Sequence, residues 1–173
     1  MSLPRTLSVK KIKDEWILIQ NPIALTASLR NKLFQLNKIW VEGKKTLPVK
    51  SKQFEMKVEL ETTGSSVNGV RLAASNNQYF EIGYDAAKQL FYIDRSKAGN
   101  NAFNDNFNKR NRFEKLISLQ KKKIQIHIFY DNSIAEVFVN GGAAVFTAQI
   151  FSDKIENNIE LFSNNGKTLF SNL

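Results

Sequence analysis

Two segments of this chain alternate apolar and polar residues without a break. Phe54-Glu55-Met56-Lys57-Val58-Glu59-Leu60 is one, and Ile124-Gln125-Ile126-His127-Ile128 running on into Phe129-Tyr130 is the other. A period of two sends successive side chains to opposite faces, so each segment reads as a half-buried strand and not as a helix. Asn140-Gly141-Gly142 then separates Val137-Phe138-Val139 from the apolar run 143–150. Asn-Gly between two apolar runs marks a tight hairpin, because both turn positions favour positive φ. With Asp131-Asn132-Ser133 as a second turn, residues 123–150 are predicted to form a three-stranded antiparallel meander.

The same logic pairs 78–84 with 89–95 across Asp85-Ala86-Ala87-Lys88. Further strands are predicted near 5–9, 15–20, 34–41, 69–75, 113–119, 158–163 and 167–171. About a dozen short strands with turn signals between them indicate an all-β, two-sheet antiparallel sandwich. One short helix is predicted near 22–31, where Leu25 and Leu29 lie four apart. Residues 99–111, rich in Asn, read as a long loop with Phe103 and Phe107 tucked onto the sheets.

With 173 residues and 42% hydrophobic content, the chain can bury a core without cross-links. It has no cysteine, which excludes disulfides, thiolate metal sites and a Cys nucleophile. No apolar run is long enough to cross a bilayer as a helix. The formal net charge of +9 raises nucleic acid as a partner. However, Lys10-Lys11, Lys44-Lys45, Lys109-Arg110 and Lys121-Lys122-Lys123 are scattered among strand ends and loops, and no basic stretch is interleaved with aromatics. A solvated Lys-rich surface is expected, with no nucleic-acid or membrane partner.

Few residues point to chemistry. His127 is the single histidine, set opposite the Ile124, Ile126, Ile128 row with no nucleophile elbow in reach, so a structural role is expected. Glycosidase-type catalysis needs two carboxylates about 5 Å or more apart. Glu81, Asp85, Asp94, Asp131 and Glu136 are the candidates. Asp85 and Asp131 sit at turns, where Asp caps backbone N–H groups. Glu81, Asp94 and Glu136 lie within strands, where Arg or Lys partners are expected, and Asp94-Arg95 is expected to act as an ion pair or hydrogen-bond node. Trp16 and Trp40 are the candidates for stacking on a sugar ring, although their apolar flanks favour core positions. Asn140-Gly141-Gly142 lacks the lysine and following helix of a phosphate loop. No catalytic residue, metal or cofactor is expected.

Several stretches together resemble the C-terminal domain of glycoside hydrolase family 32, the family of invertases, inulinases and levanases. Leu3-Pro4-Arg5-Thr6-Leu7-Ser8-Val9 is similar to the family's L-P-R-E-L-x-L segment, with Thr6 in place of Glu. Leu18-Ile19-Gln20-Asn21-Pro22-Ile23 is similar to its L-x-Q-x-P-V strand, with Asn21 where Arg is common. Phe80-Glu81-Ile82-Gly83-Tyr84-Asp85 and Phe91-Tyr92-Ile93-Asp94-Arg95-Ser96 resemble its central hairpin. Asp131-Asn132-Ser133-Ile134-Ala135-Glu136-Val137-Phe138-Val139-Asn140-Gly141-Gly142 resembles its D-x-S-x-x-E-V-F-x-N-x-G stretch. The matches run in order along nearly the whole chain.

The resemblance implies two antiparallel sheets of about six strands each. It also implies that 1–173 is one module, with residues 1–9 at the junction with a five-bladed catalytic propeller on its N-terminal side. The family's nucleophile motif W-M-N-D-P-N-G, its R-D-P and its E-C do not occur here, and Asn104-Asp105-Asn106 is no substitute for the first. The expected role is therefore a non-catalytic module that stabilises the propeller of a retaining fructan hydrolase. A fructan-binding module is the alternative, a homodimer is a further expectation, and any export signal would belong to the parent protein.

Overall fold

The structure is a computed structural model of the chain, and it describes residues 2–12, 14–31, 34–62, 67–75, 77–100, 103–119, 122–152 and 157–173. Among them twelve strands run in the order β1 (Arg5–Ile12), β2 (Glu15–Pro22), β3 (Lys38–Lys50), β4 (Gln53–Thr62), β5 (Val67–Ala74), β6 (Phe80–Asp85), β7 (Leu90–Asp94), β8 (Arg112–Leu116), β9 (Lys123–Asp131), β10 (Ile134–Val139), β11 (Ala144–Gln149) and β12 (Asn158–Ser171). All pairings are antiparallel.

The hydrogen-bonded order is β11-β10-β9-β4-β12-β5-β6-β7-β8, with β3 beside β12. One long ladder becomes a sandwich because β12 serves both layers. Its first half pairs with β5 and its second half with β4, while β3 follows it along both. Each layer thus holds four whole strands plus half of β12 and half of β3, the six per sheet that the resemblance implies. The fold line is a break in register between Ser163 and Thr168. Asn165 and Gly166 take positive φ there, and the Ser163 hydroxyl closes the break by bonding the Gly166 carbonyl and Thr168 Oγ1. Gly43, opposite Ser163, bends β3 with φ of 77°.

The two alternating segments are β4 and β9, paired directly. Val58 faces Ile126 and Met56 faces Ile128 across the ladder. Their apolar faces meet Val70, Leu72, Ile82, Phe91 and Ile93 of the other layer in one buried cluster. Burying side chains of this size contributes roughly 1.5–3 kcal/mol each, more than any other interaction holding the layers together.

Three sequence readings need correction. β3 runs to Lys50, well past the predicted 34–41, because residues 42–50 carry Gly, Lys and Pro on an edge strand without alternation. The Asn-rich segment contains one turn of helix, α1 (Asp105–Asn108), capped by the Asn104 side chain on the Phe107 N–H. Phe103 and Phe107 stack on each other and on Phe151, not on the sheets, and Phe103 stays exposed. The short helix expected near 22–31 is present as a 3-10 helix, Ala24–Leu29, with no buried residue.

Candidate interaction face

Glycosidase chemistry would need a free pair of carboxylates, and the structure does place two side by side. Glu81 and Asp94 are direct cross-strand neighbours on β6 and β7, with Cβ atoms about 5 Å apart as such pairs are. Both are occupied. Glu81 takes the Arg71 Nε at 2.7 Å and the Tyr92 hydroxyl at 2.7 Å. Asp94 takes Arg112 at 3.3 Å and the Ser96 N–H at 2.8 Å. Burial, then the charge and hydrogen bond of Glu81, hold the Tyr92 phenol far above its ordinary value, so it remains a neutral donor. Its ring lies against Gly83, where an added Cβ would sit 2.3 Å from it. These groups brace the outside of one layer.

The other candidates are equally committed. Asp85 caps the Lys88 N–H at 3.1 Å, as its turn position implies. Asp131 accepts from the side-chain amides of Gln53 and Asn132 instead of capping backbone. Arg95 does not pair with Asp94. Its guanidinium donates to the carbonyls of Gln149, Phe107 and Arg110 and stacks 3.3 Å from the Phe107 ring centre, pinning the Asn-rich segment to the end of β11. A shallow concavity beside it is lined, among the described residues, by Asn106, Lys109 and Arg110, with no carboxylate among them. No group of three potential metal ligands occurs among the described residues. No helix there is long and apolar enough to cross a membrane.

Glu136 has a different office. Its side chain is 3% exposed on the outer face of β10. It accepts the Leu3 N–H and the Arg5 guanidinium, the latter at 2.7 Å. Arg5 also donates to Gln20 and Thr147, and lies over the Phe138 ring. The carboxylate that stands in the Glu-Val-Phe stretch therefore fastens the start of the chain. Phe129 of β9 lies between Glu136 on one neighbouring strand and Glu55 on the other. Glu55 takes a two-pronged bond from Arg30, at 2.5 and 2.6 Å, and one contact from His127 Nε2 at 2.7 Å. Burial works to raise the Glu55 carboxyl, but the bonds from Arg30 and His127 outweigh it and hold it below the usual range. Burial lowers His127 in turn, against the pull of Glu55. The arm 3–31 is thus pinned at both ends by arginine–carboxylate pairs on the same outer face.

Between the pins rises a separate two-stranded ribbon, β1–β2. Its base is tied by Ile23 N–H to the Pro4 carbonyl and by Gln20 N–H to the Gly142 carbonyl. Gly142 has φ of 87°, and a Cβ there would lie 2.1 Å from the Gln20 carbonyl oxygen, so the Asn-Gly-Gly turn is also the ribbon's seat. Register places Leu7, Val9, Trp16 and Leu18 on one face. They are 65%, 60%, 71% and 48% exposed. Ile19, on the opposite face, is buried. Nothing in the described chain covers the apolar row.

The tryptophans depart from the core positions that their neighbours suggest. Trp16 stands in this row, and Trp40 is 57% exposed on β3 opposite Leu169. They lie on different sheets, β1–β2 and the main ladder. Sequence reasoning missed Glu55 and Arg30 altogether, since a strand Glu and a loop Arg 25 residues apart carry no local signal.

The chain is similar to known proteins over most of its length. The profile described as "Glycosyl hydrolases family 32 C terminal" matches residues 25–173. A levanase of Bacillus subtilis (strain 168) is 29% identical over 170 residues, covering 95% of this chain and 25% of that protein. A probable sucrose-6-phosphate hydrolase of Psychromonas ingrahamii is 35% identical over 141 residues, covering 82% and 23%. The crystal structure of the exo-inulinase from Aspergillus awamori superposes with a TM-score of 0.82 at 25% identity, over 99% of this chain and 35% of that one. The chain therefore spans about a quarter to a third of the relatives it matches.

Proposed function

The chain belongs to the C-terminal family of the family 32 glycosyl hydrolases, and on that premise we propose that it is the non-catalytic supporting module of a fructan-hydrolysing enzyme of the levanase or inulinase kind. Its partner in this reading is the catalytic propeller of the same protein, which performs retaining hydrolysis with its own two carboxylates. The observation that carries the proposal is the β1–β2 ribbon. A row of four large apolar side chains is held in a fixed pose by Glu136 and the Gly142 seat, yet left bare. Contiguous exposed apolar surface of this kind marks a docking face, and it adjoins the Leu3-Pro4-Arg5 segment that the family places at the crossing between domains.

The ribbon would act by stabilising whatever it covers. Anything that binds only the folded state of the propeller raises its melting temperature by mass action. Mixing this chain with a separately prepared family 32 propeller domain is expected to raise that domain's melting temperature in a concentration-dependent way. An unchanged melting curve at high micromolar chain would count against the supporting role. The exposure of Trp16 and Trp40 favours a second reading, a fructan-binding module. Titration with fructo-oligosaccharides separates the two, because binding abolished by Trp40→Ala would place a sugar site on β3, away from the ribbon.

A further inference from the structure

The sandwich has exposed strand edges, and they are treated differently. Arg5 lies on the outer face of β11 at Thr147, and Gln20 bonds the turn that precedes the strand, so the β1–β2 ribbon stands beside that end of the ladder. β3 carries Lys38, Lys44, Lys45 and Lys50 and bends at Gly43, the usual way of blunting an edge. β8 ends the ladder on the other side, and all five of its residues are exposed. Among the described residues no strand pairs with its far edge.

The backbone of β8 dictates what that edge offers. The Asn111 carbonyl accepts from the Arg95 N–H and the Ile117 N–H bonds the Gln89 carbonyl, so the odd-numbered residues spend their backbone groups on β7. Arg112, Glu114 and Leu116 therefore turn their N–H and C=O groups outward. Arg112 and Glu114 also share one face, with Nε and Oε2 3.2 Å apart. Phe113, opposite Ile93, lies on the other face and is 40% exposed.

From this geometry we propose that β8 is a self-association edge: two copies of the chain pair their β8 strands antiparallel about a two-fold axis at Phe113. In that register Arg112 of each copy faces Glu114 of the other in a hydrogen-bonded pair, and the two Phe113 rings meet in the non-hydrogen-bonded pair between them. A two-fold antiparallel pair must centre on a residue. Centring it on Glu114 would set two glutamates against each other, which is unfavourable. Charge thus selects the Phe113 register.

The chain has no cysteine, so single thiols report register cleanly. Residues facing across a non-hydrogen-bonded pair have Cα atoms about 4.5 Å apart, within the roughly 4.4–6.8 Å span of disulfides. Phe113→Cys is expected to form a covalent dimer under mild oxidation, while Lys45→Cys on the β3 edge is not. Sedimentation equilibrium of the unmodified chain is expected to show a concentration-dependent dimer. Glu114→Pro removes an outward N–H that β7 does not use, and Pro is tolerated on such an edge. It should weaken the dimer at least about tenfold, the loss of a net kcal/mol or so of hydrogen bonding, with an unchanged circular dichroism spectrum. A chain that stays monomeric at several hundred micromolar overturns the proposal. So does a dimer indifferent to Glu114→Pro, or one cross-linked equally through Lys45→Cys.

Discussion

The β9–β10–β11 meander and the β1–β2 ribbon are built from the same material and meet opposite fates. Both are antiparallel, and both present an apolar row at every second residue of one face. In the meander, Ile124, Ile126 and Ile128 are fully covered by the facing layer. In the ribbon, Leu7, Val9 and Leu18 are bare, although the ladder beneath them is regular over eight pairs from Arg5–Pro22 to Ile12–Glu15. A two-stranded ribbon is marginal alone, and this one keeps its pose through side-chain and turn contacts at its base. Alternation announces that a face is apolar; what covers it is decided by the rest of the chain or by a partner.

The sharpest way to break this comparison is to truncate one residue from each row. Ile126→Ala should cost about 2–5 kcal/mol in urea unfolding, the range for a buried aliphatic, whereas Leu18→Ala should stay within about 0.5 kcal/mol, as for a surface change. Equal costs would mean that the ribbon is packed against the sandwich after all. Next in size is the pin. Glu136→Ala strands the Arg5 guanidinium and the Leu3 N–H, and should cost about 1–3 kcal/mol. Amide exchange in residues 3–12 should rise while that of β9 is unchanged. A uniform rise would make Glu136 an ordinary core group.

The second pin is open to acid. Glu55 is held below its ordinary value, so its contribution is complete above the unfolded value and is lost as pH falls through the folded one. His127 is lowered from 6.5 by burial, so protonating it on acidification also favours the unfolded chain. Both act in one direction, and the melting temperature should decline as pH falls from 6.5 through the ordinary carboxylate value of 4.5 and below it. Glu55→Gln should decline less steeply because one of the two groups no longer titrates. The smallest effect belongs to Leu18→Asp. The isolated chain should melt within about half a kcal/mol of the parent, yet lose its ability to raise the melting temperature of a propeller domain.

Much of the sandwich was legible because its signals are local. The meander declares itself through Ile124 to Tyr130 and the Asn140-Gly141 turn, and the β6–β7 hairpin through its paired apolar runs. The second half of β3 was not, since residues 42–50 bury only Leu47 fully, with Val49 packed partly against the core, and guard an edge with lysines. The role of Glu136 was legible only as "paired with a cation", because its partner lies 131 residues away. Asp131 broke its turn rule when Gln53 came within 2.8 Å from the neighbouring strand. Trp16 and Trp40 misled for a simpler reason. Apolar neighbours mark a stretch as apolar, but whether a side chain is buried depends on what packs over it, and both rings stay exposed.

Fluorine NMR of the chain labelled with 5-fluorotryptophan tests the ribbon most directly, because its two tryptophans give one resonance each, assigned with Trp16→Phe and Trp40→Phe. Adding an unlabelled family 32 propeller domain should shift or broaden the Trp16 resonance and leave Trp40 in place, and fructo-oligosaccharide should move neither. A Trp16 resonance unchanged by a saturating propeller domain, or a Trp40 resonance that moves in its stead, would contradict the claim that the β1–β2 ribbon is the docking face.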